Sequence, residues 1–120
     1  NLRRSVSIWN INSFAEFFLQ ILGKYERPYQ QAMDDFRTER TRFVSKLQSI
    51  NYLRVVPSEA NYLLCEVLPP HTPRELAIQL LKKYNILIKD CTSKCHAPYI
   101  RIAVRDTKDN NCLIEALKTL

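Results

Sequence analysis

Apolar residues recur at helical spacing early in the chain, at Phe14, Phe17, Phe18, Ile21 and Leu22. Ser13 and Glu16 stand as a capping box ahead of that run, which fades at Gly23. A second, longer helix can begin at Pro28, a residue suited to a first turn. Its stripe is Met33, Phe36, Phe43, Leu47 and Ile50, with Arg40 where another apolar residue would complete it and a heavily charged opposite face. The two helices are expected to form one long, kinked rod.

The period then changes. Leu53 to Val56 predicts a short strand ended by Pro57, and Ala60 to Val67 a fuller one, mostly apolar on both faces and therefore central. After Pro69 and Pro70, Thr72-Pro73-Arg74-Glu75 supplies an N-cap, a first-turn proline and the closing glutamate of a capping box. The helix it starts runs to about Tyr84 on Leu76, Ala77, Leu80 and Leu81. Ile86 to Lys89 predicts a strand, followed by a polar loop with cysteine and histidine residues. Tyr99 to Val104 alternates as a strand. The last helix begins near Thr107 and buries Leu113, Ile114, Leu117 and Leu120.

The predicted order is α-α-β-β-α-β-β-α, without internal repeats. That order implies an α+β fold: a three- to four-stranded mixed or antiparallel sheet with helices on one face. The other face is then available to another domain or a ligand. One hundred and twenty residues suit one domain, divided into a junction segment with the first helix (1–27) and an α/β body (28–120).

Composition narrows the chemistry. An apolar fraction of 46% and a charged fraction of 25% match an ordinary globular chain, and no run approaches the roughly 18 apolar residues of a membrane span. The net charge of +6 is spread among acids, as in Asp34-Asp35-Phe36-Arg37-Thr38-Glu39-Arg40. Such interleaving describes a solvated helix face rather than a nucleic-acid stripe, although an affinity for small anions is compatible with it. Cys65, Cys91, Cys95 and Cys112 contain no Cys-x-x-Cys, and two lie in apolar stretches, so a reducing, cytoplasmic setting is expected. Cys91, Cys95 and His96 lack a fourth ligand at recognisable spacing, so no metal site is expected. Gly23 is the only glycine, which excludes the glycine-rich phosphate loops and dinucleotide fingerprints. A signal peptide is not expected either. The start at Asn1 without methionine suggests the interior of a longer chain.

Neither histidine has an activated serine or cysteine near it in sequence, and no catalytic residue is assigned. The sharpest local signal is Tyr99-Ile100-Arg101-Ile102-Ala103-Val104-Arg105. Ile100, Ile102 and Val104 share the face that packs on helices, and Arg101 points to the other. A mid-strand arginine needs an anion. A structural salt bridge to Asp or Glu and a ligand carboxylate both satisfy that need.

Four segments then occur in a telling order: Ile8-Trp9-Asn10-Ile11-Asn12-Ser13-Phe14-Ala15, Ser58-Glu59-Ala60-Asn61-Tyr62-Leu63-Leu64, Ile88-Lys89-Asp90-Cys91, and Tyr99 to Arg105 followed by Asn110. Together they resemble the C-terminal part of class I and II pyridoxal-phosphate (PLP) aminotransferases, in the branch of histidinol-phosphate aminotransferase and threonine-phosphate decarboxylase. The resemblance covers essentially the whole chain. It implies a small domain that closes over an amino-acid substrate, partnered by a large PLP-binding domain N-terminal to it, in a homodimeric parent. It implies that Arg101 grips the substrate α-carboxylate. Lys89 falls where relatives carry an arginine that helps hold a phosphate or carboxylate; lysine keeps the charge and loses the fork. The resemblance puts Asn10 near the cofactor at the domain junction and Asn61 near the cleft. It also implies that the Schiff-base lysine, the aspartate on the pyridine nitrogen and the phosphate-binding residues precede Asn1. An isolated fragment is then expected to hold no PLP and to be inactive. The alternatives are a PLP-dependent amino-acid phosphate decarboxylase, a stand-alone anion or nucleic-acid binding module and a structural dimerisation domain. Base-stacking aromatics for a nucleic-acid binder are sparse, Tyr62 and Tyr99 being the best candidates.

Overall fold

The computed structural model describes residues 12–120. Two compact units divide the chain, 1–35 and 36–120. In the first, α1 (Ser13–Leu22) passes through one 3-10 turn (Gly23–Tyr25) into α2 (Glu26–Gln48), which continues across the boundary. The first helix is capped by Asn12, whose Oδ1 accepts the Ala15 amide at 2.9 Å. The cap thus lies one residue before the expected Ser13, because the Asn12 side chain reaches the Ala15 amide, which has no intrahelical acceptor. α2 starts two residues before Pro28, which still lies in the first turn. Within α1, Phe14, Phe17, Phe18 and Leu19 are exposed.

The second unit is built on a four-stranded antiparallel sheet of order β1-β2-β4-β3, from β1 (Leu53–Val55), β2 (Tyr62–Val67), β3 (Lys89–Asp90) and β4 (Tyr99–Ala103). Its inward face carries Leu63, Cys65, Val67, Ile100 and Ile102. These residues form one core with Phe43 and Leu47 of α2, Leu76 and Leu80 of α3 (Pro73–Tyr84), and Leu113, Ile114 and Leu117 of α5 (Thr107–Lys118). Burial of this apolar area is the main favourable term holding the unit together. Arg40 completes the α2 stripe by pairing with the Ala60 carbonyl and the Glu59 carboxylate while resting on the Phe36 ring.

The α3 start follows its sequence signal. Thr72 accepts the Glu75 amide and donates its hydroxyl to the Glu75 carboxylate at 2.8 Å. The predicted strand at Ile86–Lys89 is largely absent: only Lys89 and Asp90 pair with β4. Asn85 ends α3 in the left-handed region at φ 55°, and the Ile86 amide turns back to the Leu80 carbonyl. That closure draws 86–88 toward the helix end and away from the ladder. The loop beyond contains a single helical turn, α4 (Thr92–Cys95), opened where Asp90 accepts the Thr92 amide.

Candidate functional site

Strand alternation sorts the sheet into two surfaces. Tyr62, Leu64 and Glu66 of β2, Tyr99, Arg101 and Ala103 of β4, and Lys89 of β3 occupy the face opposite the core. Arg101 sits mid-strand and exposed, with Leu64 directly across on one side and Lys89 directly across on the other. Two cations therefore stand on adjacent strands of one open face. Like charges placed so repel, and a bound anion relieves the repulsion. Among the described residues, no carboxylate pairs with either Arg101 or Lys89. The salt-bridge alternative for Arg101 thus finds no partner there. Instead its guanidinium carbon lies 5.3 Å from the centroid of the Tyr62 ring.

The remaining sequence candidates are less closely joined to this pair. Asn61 is exposed immediately before β2, where its carbonyl accepts the Val104 amide at 2.9 Å, and it precedes the tyrosine that meets Arg101. Asn10 lies outside the described residues. Cys91 is buried, whereas Cys95 and His96 are exposed, and the described residues hold no cluster of metal-ligating side chains. No described helix is long and apolar enough to cross a membrane.

A cluster at the far end of β4 escaped the sequence reading. Arg42 donates through Nε and Nη2 to the two Glu39 carboxylate oxygens, at 2.8 and 2.7 Å. Thr107 Oγ1 and Asn110 Nδ2 donate to the same carboxylate, each at 2.8 Å. Buried Asn110 also accepts the Arg105 amide and donates to the Arg105 carbonyl, fixing the turn from β4 into α5. The Arg42 hydrogen bonds, helped by Asn110 and Thr107, hold the Glu39 carboxyl at about 2, below its ordinary 4.5, despite opposing burial. Asn110 was visible only as part of a motif, since its partner Glu39 is far away in sequence.

A cleft of about 380 Å³ opens between Asn85–Ile88, Ile102–Ala103 and the first turns of α5. Leu87 and Ile86 wall it, and no lysine lines it. Elsewhere, burial pushes the Cys65 thiol up to about 12, and the Thr92 hydrogen bonds lower the Asp90 carboxyl.

Comparison with known proteins bears on this arrangement. The profile of the family described as "Aminotransferase class I and II" matches residues 4–117. The L-serine phosphate decarboxylase of Sulfurospirillum multivorans is 31% identical over 118 residues, covering 94% of this chain and 30% of that protein. A decarboxylase structure from the same organism superposes with a TM-score of 0.86 at 29% identity, covering 98% of this chain and 34% of the other. The histidinol-phosphate aminotransferase of Clostridium acetobutylicum gives 0.82 at 29% identity, covering 98% and 36%. The chain spans between about a seventh and about a third of the length of the proteins it matches.

Proposed function

This chain belongs to the class I and II aminotransferases, and from that premise we propose that it is the substrate-binding small domain of a PLP-dependent enzyme acting on an amino acid or amino-acid phosphate. The observation that carries the proposal is Arg101, exposed at the middle of β4 with no carboxylate partner among the described residues. Its fork presents two parallel donors to a carboxylate, and a charge-assisted bidentate pair is among the stronger hydrogen-bonded contacts available. Lys89, directly opposite, adds a second positive charge suited to a further acidic group but without the directional fork. The family resemblance extends the reading to Asn61, just ahead of β2, and to Asn10.

PLP supplies the electron sink for chemistry at the amino-bearing carbon. It needs an amine for its aldehyde and a cradle of donors for its phosphate. The cleft at 85–88 is mixed, with Ile86, Leu87 and Ile88 beside Asn85, Arg105 and Asp109, and has no lysine to meet the aldehyde, so these residues do not fit the cofactor. The remainder of the parent holds it, and this domain alone is inactive. The exposed aromatic face of α1 suits contact with that remainder in a homodimeric enzyme, and four free thiols suit a cytoplasmic one.

A decarboxylase reading is favoured by relatives named as L-serine phosphate decarboxylases and by the superposed decarboxylase structure. The deciding experiment offers the full-length protein O-phospho-L-serine with and without 2-oxoglutarate, and measures CO2 and amino transfer. Arg101→Ala is expected to lower kcat/KM about 10- to 150-fold at unchanged melting temperature. Loss of folding in proportion to activity would make Arg101 a structural residue. Full activity at unchanged melting would remove it from the substrate site.

A further inference from the structure

On the open face of the sheet, one carboxylate lies within reach of Arg101 yet does not take it. Glu66 is the cross-strand partner of Tyr99, and so sits diagonal to Arg101, a spacing that long side chains can bridge. Its carboxylate is instead engaged by Arg54, its direct partner on β1, through Nε and Nη2. The Arg101 guanidinium rests on Tyr62, its diagonal neighbour on the other side.

The difference between the two contacts is chemical. A salt bridge occupies the N–H donors of a guanidinium, whereas stacking on a ring occupies only its flat face. Tyr62 is free to lie there because its direct cross-strand partner is Ala103, whose methyl leaves the ring room. Lys89, across the other edge of β4, repels the guanidinium toward the ring.

We infer that Tyr62 and Arg54 are positioning residues that hold the Arg101 fork in place with its donors empty: the ring supports the guanidinium, and Arg54 withholds Glu66 from it. The inference rests on the reading of Arg101 as the carboxylate clamp, and it names the devices that keep the clamp open. Neither residue touches substrate. A fork already oriented loses less freedom on binding, and a fork not already bridged has no internal competitor to displace.

The test measures kcat and KM for O-phospho-L-serine in the full-length protein, alongside melting temperature. Tyr62→Leu and Tyr62→Met are expected to raise KM about 2- to 5-fold, the range of a cation–π contact at an exposed site, with kcat nearly unchanged. Tyr62→Phe keeps the ring and stays near wild type. Arg54→Ala raises KM by a similar factor, and Arg54→Ala with Glu66→Gln restores it, because the amide no longer competes as an anion. That rescue separates positioning from a loss of packing, which a second substitution would not repair. In an Arg101→Ala background, Tyr62→Leu, Tyr62→Met and Arg54→Ala lose their effect on KM.

An unchanged KM in Tyr62→Leu or Arg54→Ala overturns the inference. So does a Tyr62→Leu effect that persists without Arg101, or an Arg54→Ala effect that Glu66→Gln fails to reverse. If Arg101→Ala is itself fully active, or the protein leaves O-phospho-L-serine unaltered, the underlying reading falls and takes this one with it. A crippled Arg101→Ala with indifferent Tyr62 and Arg54 variants defeats the positioning role alone.

Discussion

Replacing Glu39 by alanine removes one carboxylate and takes an acceptor from three residues. Arg42 loses both arms of its fork, Thr107 loses its acceptor, and buried Asn110 keeps only its bonds to Arg105. The Glu39 side chain is 13% exposed, so solvent replaces little of what is lost. A charged hydrogen bond contributes roughly 1.5–3 kcal/mol, and a stranded buried donor adds to the cost. Together they imply about 3 kcal/mol of destabilisation. The depressed carboxyl reflects the same hydrogen bonds: held at about 2 rather than 4.5, and allowing for solvent screening, it corresponds to about 1–2 kcal/mol of stability at neutral pH. Because the folded value is depressed, this stability is fully present above 4.5 and is lost as pH falls through about 2. Urea unfolding from pH 7 to pH 2 measures both. Glu39→Gln keeps the shape without the charge, so its deficit against wild type, about 1–2 kcal/mol at pH 7, should shrink steadily below pH 4.5. A Glu39→Ala cost below about 0.5 kcal/mol, or a glutamine deficit as large at pH 2 as at pH 7, refutes the reasoning.

Other outcomes are open to direct measurement. Lys89→Ala is expected to lower kcat/KM less than Arg101→Ala in the full-length protein, since a flexible ammonium clamps less well than a fork, and equal losses would contradict that ranking. With a thiol reagent at pH 8, mass spectrometry should find Cys95 and Cys112 labelled first and Cys65 only on unfolding, because Cys65 is fully buried and its thiol is pushed up to about 12. Thr72→Ala removes the acceptor for the Glu75 amide and should lower unfolding stability by about 1 kcal/mol, readable in the same urea experiment.

What the sequence revealed divides along the range of the forces involved. The start of α3 was legible because Thr72, Pro73 and Glu75 interact within one turn. The strands β2 and β4 were legible as two apolar patterns, and the outward direction of Arg101 followed from alternation alone. The α1 cap was misplaced by one residue because Asn12 and Ser13 are both competent acceptors, and only geometry selects between them. Ile86 to Ile88 looked like a strand because a strand and an irregular segment can share the same apolar run. The Asn85 turn decides the matter, tying Ile86 back to Leu80. The Glu39 cluster and the withholding of Glu66 from Arg101 join residues from different elements, and composition carries no trace of either.

The position of β4 has a consequence for how the domain is made. It is the last strand in the chain, yet it lies between β2 and β3. During synthesis, Lys89 and Asp90 emerge before the strand they pair with, and a two-residue strand cannot persist without it. Until Tyr99–Ala103 inserts, β2 is paired only with β1, and one side of the inward face lacks Ile100 and Ile102. Insertion of β4 therefore closes the core and brings Arg101 between Tyr62 and Lys89 in the same event. A nascent chain arrested before that strand displays neither the finished hydrophobic interior nor the paired cations, so the proposed anion site cannot form ahead of the fold that carries it.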